Sequence, residues 1–227
     1  MPRQEVGIRI ALIHALKHSI APIEAAFGRL WPEARRTNLL DDSLSADLAR
    51  DGALTPAMTE RFLTLARYAR ATGADGILFT CSAFGPCIEA CARELSPIPV
   101  LKPNEAMIEE AVALAGPRGR IGLMATFAPT LDSMPPEFAA AAPEVTLAPC
   151  LAAEALRALD RGDAEGHDRA AAKVAAGLPQ VDVVALAQFS LARAAPVIEA
   201  TTGKPVLTTP DSAVRKLRRL LSEPRAA

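Results

Sequence analysis

The sequence predicts an α/β fold made of two similar three-layer lobes, each a parallel sheet between helices. Short apolar strand-like runs alternate with Ala-, Leu- and Arg-rich helical stretches along the chain. Strands that are apolar throughout belong to a parallel sheet covered on both faces. The chain also repeats itself. "IRIALIHALKHS" (8–19) aligns with "GRIGLMATFAPT" (119–130), which pairs Arg9 with Arg120. "DGILFTCSAFGP" (75–86) aligns with "DVVALAQFSLAR" (182–193), which pairs Asp75 with Asp182. "PVLKPNEA" (99–106) aligns with "PVLTTPDSA" (205–213) with one residue inserted. Three segments in the same order at nearly constant spacing mark a duplication with pseudo-twofold character. At 227 residues and 50% hydrophobic, the chain can fill one sizeable core or two small lobes.

In chain order, strands are expected at 7–14, 34–40, 76–80, 100–101, 120–125, 145–148, 181–187 and 206–207, each a short β-rich run. Helices are expected between them at 20–30, 56–72, 86–95, 105–115, 154–159, 163–176, 191–201 and 212–221. The duplication places an N-lobe at 1–103 plus a C-terminal segment of about 208–227, and a C-lobe at 104–207.

A formal net charge of −1, with acids and bases mixed, gives no electrostatic reason for a nucleic-acid or anionic-membrane partner. The basic "RKLRRLL" near the C-terminus reads as the solvated face of a last helix, where cations complement the helix dipole. The apolar stretch from Val6 to Leu16 is broken by Arg9 and His14, so it does not read as a signal peptide. No span approaches the roughly 20 apolar residues of a membrane helix. A reduced, cytoplasmic protein with free thiols is expected. Cys87 and Cys91 share a helix face and read as packing, and His14, His18 and His167 lack metal-ligand spacing with them. Cys150 reads as structural, with an oxidation-sensitive or rim role as the alternative. Gly116, Gly119 and Gly122 precede a strand instead of joining strand to helix, so no dinucleotide fingerprint follows. Ser82 and Ser190 lack the G-x-S-x-G of a hydrolase elbow. No cofactor and no metal is expected.

Ligands of open parallel sheets bind beyond the carboxyl ends of the strands. With two lobes face to face, those ends are expected to line one cleft. They deliver His14 and its counterpart 125–126, Cys81 and its counterpart Gln188, and the loops after Leu101 and Leu207. Cys81 ends an apolar strand, and Ser82–Gly85 and Pro86 lead into a helix. Backbone N–H groups there favour thiolate, the reactive form of cysteine.

The sequence resembles the cofactor-independent aspartate/glutamate/hydantoin racemase superfamily, which includes arylmalonate decarboxylase and maleate isomerase relatives. "GADGILFTCSAFG", "GRIGLMATFAPT" and the duplication carry the resemblance over nearly the whole chain. It implies an isomerase of racemase type that binds a small carboxylate between two α/β lobes and forms a homo-oligomer. It also implies one cysteine at a strand end in each half, acting on opposite faces of the α-carbon. Cys81 matches the first, but Ala187-Gln188-Phe189 stands where the second is usual, and Gln188 cannot exchange a proton as a thiol does.

Proton removal next to a carboxylate builds negative charge that preorganised donors must meet. The candidates are the backbone and hydroxyl groups of Cys81-Ser82 and of Phe189-Ser190, with Thr126 and Thr130 of the "TFAPT" loop. Of these, the resemblance carries over best to Thr126 and Ser82. His14 is either a hydrogen-bonded structural residue or a substrate-binding or second acid–base group in the same cleft. Asn104 and Asp211 follow equivalent strands and are placed at the rim. Asp41, Asp42 and Ser43 belong to a helix cap or to a loop over the site. Phe84, Phe127 and Phe189 fall near strand ends, where they can wall an apolar pocket. Racemisation leads, with a one-sided single-cysteine decarboxylase or lyase, or a non-catalytic acid-binding protein, as alternatives.

Overall fold

The computed structural model describes residues 7–222, which fall into two compact units. Residues up to Pro103 and from Ala213 onward form the first; Asn104–Ser212 form the second.

The first unit has strands β1 (Arg9–His14), β2 (Arg35–Leu40), β3 (Gly76–Phe79) and β4 (Val100–Leu101), all parallel, in the order β2-β1-β3-β4. Parallel neighbours need crossovers, and α1 (Ile20–Leu30), α2 (Ser43–Asp51), α3 (Pro56–Ala71) and α4 (Gly85–Leu95) supply them. The second unit holds α5 (Glu105–Ala115), β5 (Arg120–Ala125), α6 (Ala128–Ala141), β6 (Thr146–Leu151), α7 (Ala153–Asp160), α8 (Ala164–Ala175), β7 (Val183–Leu186), α9 (Ala195–Thr202) and β8 (Val206–Thr208). Its order is β6-β5-β7-β8, again all parallel. The last helix, α10 (Thr209–Ser222), begins in the second unit and continues into the first.

Central strands are buried nearly end to end, whereas edge strands β2 and β6 alternate in exposure with an identical pattern. Residue alternation sends Ile121, Leu123, Val183 and Ala185 to one face of the second sheet and Met124, Val184 and Leu186 to the other. In the first unit Phe62 stacks on Phe79 and tilts against Phe84, and Cys87 and Cys91 lie buried in the same cluster. Both cysteines are therefore packing residues. A Cβ on Gly76 would come within 3.0 Å of Leu221 and 3.4 Å of Leu217, so glycine lets α10 approach β3.

The duplication extends to individual bonds. The Arg9 amide donates to Asp75 Oδ2 at 2.8 Å, and the Arg120 amide donates to Asp182 Oδ2 at 2.7 Å. Asp75 and Asp182 each return their own amide to the partner arginine's carbonyl. Paired residues of the sequence repeat thus perform the same task at the start of the same two strands.

Two helices depart from the expectations. The segment 128–141 is helix α6, despite Pro135 and Pro136 in its interior, where proline removes donors and disfavours helix. Thr130, Met134 and Phe138 are buried along one side at four-residue spacing, and this packing outweighs the proline cost. The segment 43–51 is helix α2, with the Asp41 carboxylate accepting from the Ser43 amide and hydroxyl ahead of its first turn. β6 also runs on through Pro149, which an edge strand tolerates.

Candidate functional site

Cys81 lies two residues past the end of β3, its backbone still extended, and a 3-10 turn over Ser82–Phe84 leads into α4. Pro86 sits in the first turn of α4, where its missing N–H costs nothing. The turn brings the Ala83 amide to the sulfur. Burial nevertheless pushes the Cys81 thiol above its ordinary value, and the Ala83 N–H only partly offsets it. The expected thiolate-favouring setting is corrected here: the amide is present, but desolvation outweighs it and leaves a neutral thiol. Beside it lies a crevice too narrow to admit a water molecule, lined by Ile13, His14, Leu44, Phe62, Phe79 and Cys81 among others.

His14, the last residue of β1, is fully buried. Its Nε2 meets Asn38 Oδ1 at 2.9 Å and its Nδ1 meets Thr80 Oγ1 at 2.8 Å. Asn38 in turn donates Nδ2 to Glu24 Oε1 at 2.9 Å, and Arg36 Nε donates to Glu24 Oε2 at 3.1 Å. Because the carboxylate fixes which way the Asn38 amide points, His14 carries its proton on Nε2, and Nδ1 accepts from the Thr80 hydroxyl. Burial holds the His14 ring below its ordinary value, against the hydrogen bond it donates to Asn38 and the charge of Glu24. Both ring nitrogens are thus engaged with the protein. Asn38, Thr80 and Glu24 were not among the sequence candidates. Their one signal is that Thr80 is a polar residue closing the apolar run of β3; Asn38, in the polar strand β2, carries none.

In the second unit Gln188 follows β7 as Cys81 follows β3. Its Oε1 accepts from the Thr126 hydroxyl at 2.7 Å, from the Phe127 amide at 3.1 Å and from the Thr126 amide. Thr126 and Gln188, which lie far apart in sequence, are brought together at adjacent strand ends. Thr126 is buried, and Phe189 and Ser190 start the following 3-10 turn, both buried. Ser82 is half-buried.

Other candidates sit elsewhere. Thr130 belongs to the first turn of α6 and is buried, so the expected loop is a helix there. Asn104 is buried, not at a rim, and its Nδ2 donates to Met134 Sδ at 2.9 Å. Ser43 Oγ donates to Asp41 Oδ1 at 2.6 Å and accepts from Arg61 Nη2 at 2.7 Å. Arg61 also pairs with Asp41 and Asp47, which ties the start of α2 to α3. Phe84 lies in the core and Phe189 is buried, whereas Phe127 is 50% exposed. Phe127 and Leu151 at the strand ends of the second unit have exposed apolar equivalents in Leu16 and Leu40 of the first. Among the described residues, no three His, Cys, Asp or Glu side chains form a metal-binding group, and no helix is long and apolar enough to cross a membrane.

The protein is a duplicated α/β fold with a thiol past a central strand in one half and an amide at the repeated position in the other. The chain belongs to the Asp/Glu/Hydantoin racemase family, whose pattern matches residues 21–217. Its fold is similar to that of aspartate racemase from Picrophilus torridus (TM-score 0.71, 13% identity, 96% of each chain covered). It is also similar to allantoin racemase from Klebsiella pneumoniae (TM-score 0.62, 21% identity, 95% of this chain and 88% of that one). A cysteine variant of arylmalonate decarboxylase in its sulfate-associated form aligns with a TM-score of 0.66 at 20% identity, covering 94% and 93%. No curated protein sequence matches.

Proposed function

We propose that the protein is an isomerase of racemase type that moves a proton at the carbon next to a carboxylate, with Cys81 as the proton carrier and no cofactor. The observation that carries this reading is the Cys81 thiol at the end of β3, bonded by the Ala83 amide, in a chain of the racemase family. Strand-end donors beside Cys81, with Ser82 foremost, would hold the carboxylate and meet the charge that grows on it. A thiol kept neutral by burial is first of all a proton donor; a bound substrate must draw the proton off before it acts as a base. The four cysteines are unpaired, which suits a reducing cytoplasmic setting.

A second reading is a one-sided decarboxylase or lyase. The observation in its favour is Gln188, which occupies the position duplicated from Cys81 and has no proton to exchange near neutral pH. The test is incubation in heavy water with amino, hydroxy and malonic acids, following α-proton signals, chirality and carbon dioxide. Exchange with loss of chirality supports the racemase. Exchange with retention, or carbon dioxide or alkene release, supports the one-sided chemistry. In either case Cys81→Ser should lower the rate by about 10²–10⁴-fold. A Cys81→Ser protein as active as the parent would overturn the proposal, and an inert parent would favour a binding protein.

A further inference from the structure

Gln188 stands in the repeat where a second thiol is usual, and its geometry gives it a different task. Three donors converge on its Oε1: the Thr126 amide, the Thr126 hydroxyl at 2.7 Å and the Phe127 amide at 3.1 Å. Two of them are backbone N–H groups, which only donate, so the inner atom must be the oxygen and the amide cannot be reversed. A planar carboxamide with its oxygen held inward turns its NH2 group the other way. Gln188 is half-buried, so that end is not sealed in the core. A cluster of this kind, two consecutive amides and a hydroxyl, is also what would hold an anionic oxygen. Here the protein's own carbonyl satisfies it.

We infer that Gln188 is a specificity-determining residue: the Thr126–Phe127 cluster locks its amide so that Nε2–H donates to a carboxylate oxygen of the substrate, and it carries no proton. This rests on the proposed carboxylate chemistry and narrows it. The carboxylate then meets a fixed neutral donor at the β7 end, and Gln188 takes no part in proton delivery. Thr126 is the positioning residue behind it.

The substitution Gln188→Glu separates this role from a purely structural one. Its inner oxygen still accepts all three donors, while the outer atom changes from a donor to a negatively charged acceptor. The probe is sodium acetate titrated to molar-scale saturation against sodium chloride at matched ionic strength, followed by the side-chain NH2 resonances of glutamine. Acetate should shift the Gln188 pair saturably and chloride should not. Gln188→Glu should bind acetate at least tenfold more weakly with no loss of thermal midpoint. Thr126→Val should weaken acetate binding and broaden the Gln188 pair, and Thr126→Ser should restore both. An NH2 pair that ignores acetate overturns the inference, as does a Gln188→Glu protein that binds acetate like the parent. The outcome is independent of proton transfer: acetate on Gln188 with no exchange at any α-carbon would remove the enzyme reading and leave this one standing.

Discussion

Lowering the pH should destabilise the protein through His14 before any carboxylate titrates. The ring is fully buried with both nitrogens engaged, and burial holds it below its ordinary value of 6.5. Above pH 6.5 the ring is neutral in folded and unfolded chains alike and contributes no pH dependence. Below 6.5 the unfolded chain binds a proton that the folded one refuses, so stability falls with falling pH until the folded value is reached. Each pH unit between the two values removes about 1.4 kcal/mol, a tenfold change in the folding constant. The depressed carboxylates Asp41 and Asp168 begin to lose their contribution only as the pH approaches their ordinary value of 3.8. Urea denaturation at pH 7.5, 6.5, 5.5 and 4.5 on the parent and on His14→Gln isolates the effect, because every other group is common to both. The parent should lose stability relative to the variant steadily below pH 6.5. Parallel curves, or a His14 ring that titrates near 6.5 in the folded protein, would refute the assigned tautomer and the neutral network.

The strand-capping aspartates should behave as a matched pair: Asp75→Ala and Asp182→Ala should each cost about 1 kcal/mol in urea denaturation, since each loses one charge-assisted bond at an exposed strand start. Phe62→Ala should cost about 3–5 kcal/mol by the same measurement, because it removes the ring that touches both Phe79 and Phe84. Burial pushes the Cys150 thiol up to about 11, so at pH 8 only about one molecule in a thousand carries the thiolate. Peptide mapping after iodoacetamide should show Cys150 reacting roughly a hundredfold more slowly than a free cysteine, although the residue is only half-buried.

What the sequence made legible is what repeats or is local. Strand-helix alternation and the three recurring segments placed both sheets, and the Asp75–Arg9 and Asp182–Arg120 bonds show that the repeat was physical. Cys81 stood out because a thiol ends an apolar run just before a helix start. Helix α6 was illegible because Pro135 and Pro136 lower its local propensity, while the burial of Thr130, Met134 and Phe138 that rescues it is a tertiary effect. The His14 network draws Glu24 from α1, Asn38 from β2 and Thr80 from the end of β3, and no local spacing ties these residues together. The lock on Gln188 was hidden for the same reason, since its donors lie after β5 and its acceptor after β7.

The two halves diverge in a particular place. Where strands start, paired aspartates make paired bonds. Where strands end, the sequences part: the register that places Asn38 beside Leu12 in the first sheet places Pro149 beside Leu123 in the second. Along the repeat, His14 and Thr80 align with Ala125 and Ala187, so the buried polar network has no counterpart in the second unit. In return, Thr126 and Gln188 align with Ala15 and Cys81. From the position of Gln188, a cysteine is too short to reach the amides that the glutamine carbonyl satisfies. The missing second thiol is therefore one part of a coordinated change, in which the donors after β5 and the acceptor after β7 fit each other. A symmetric scaffold with unlike strand ends fits a reaction whose two faces are handled differently. The racemase reading therefore needs a proton route that Gln188 does not supply.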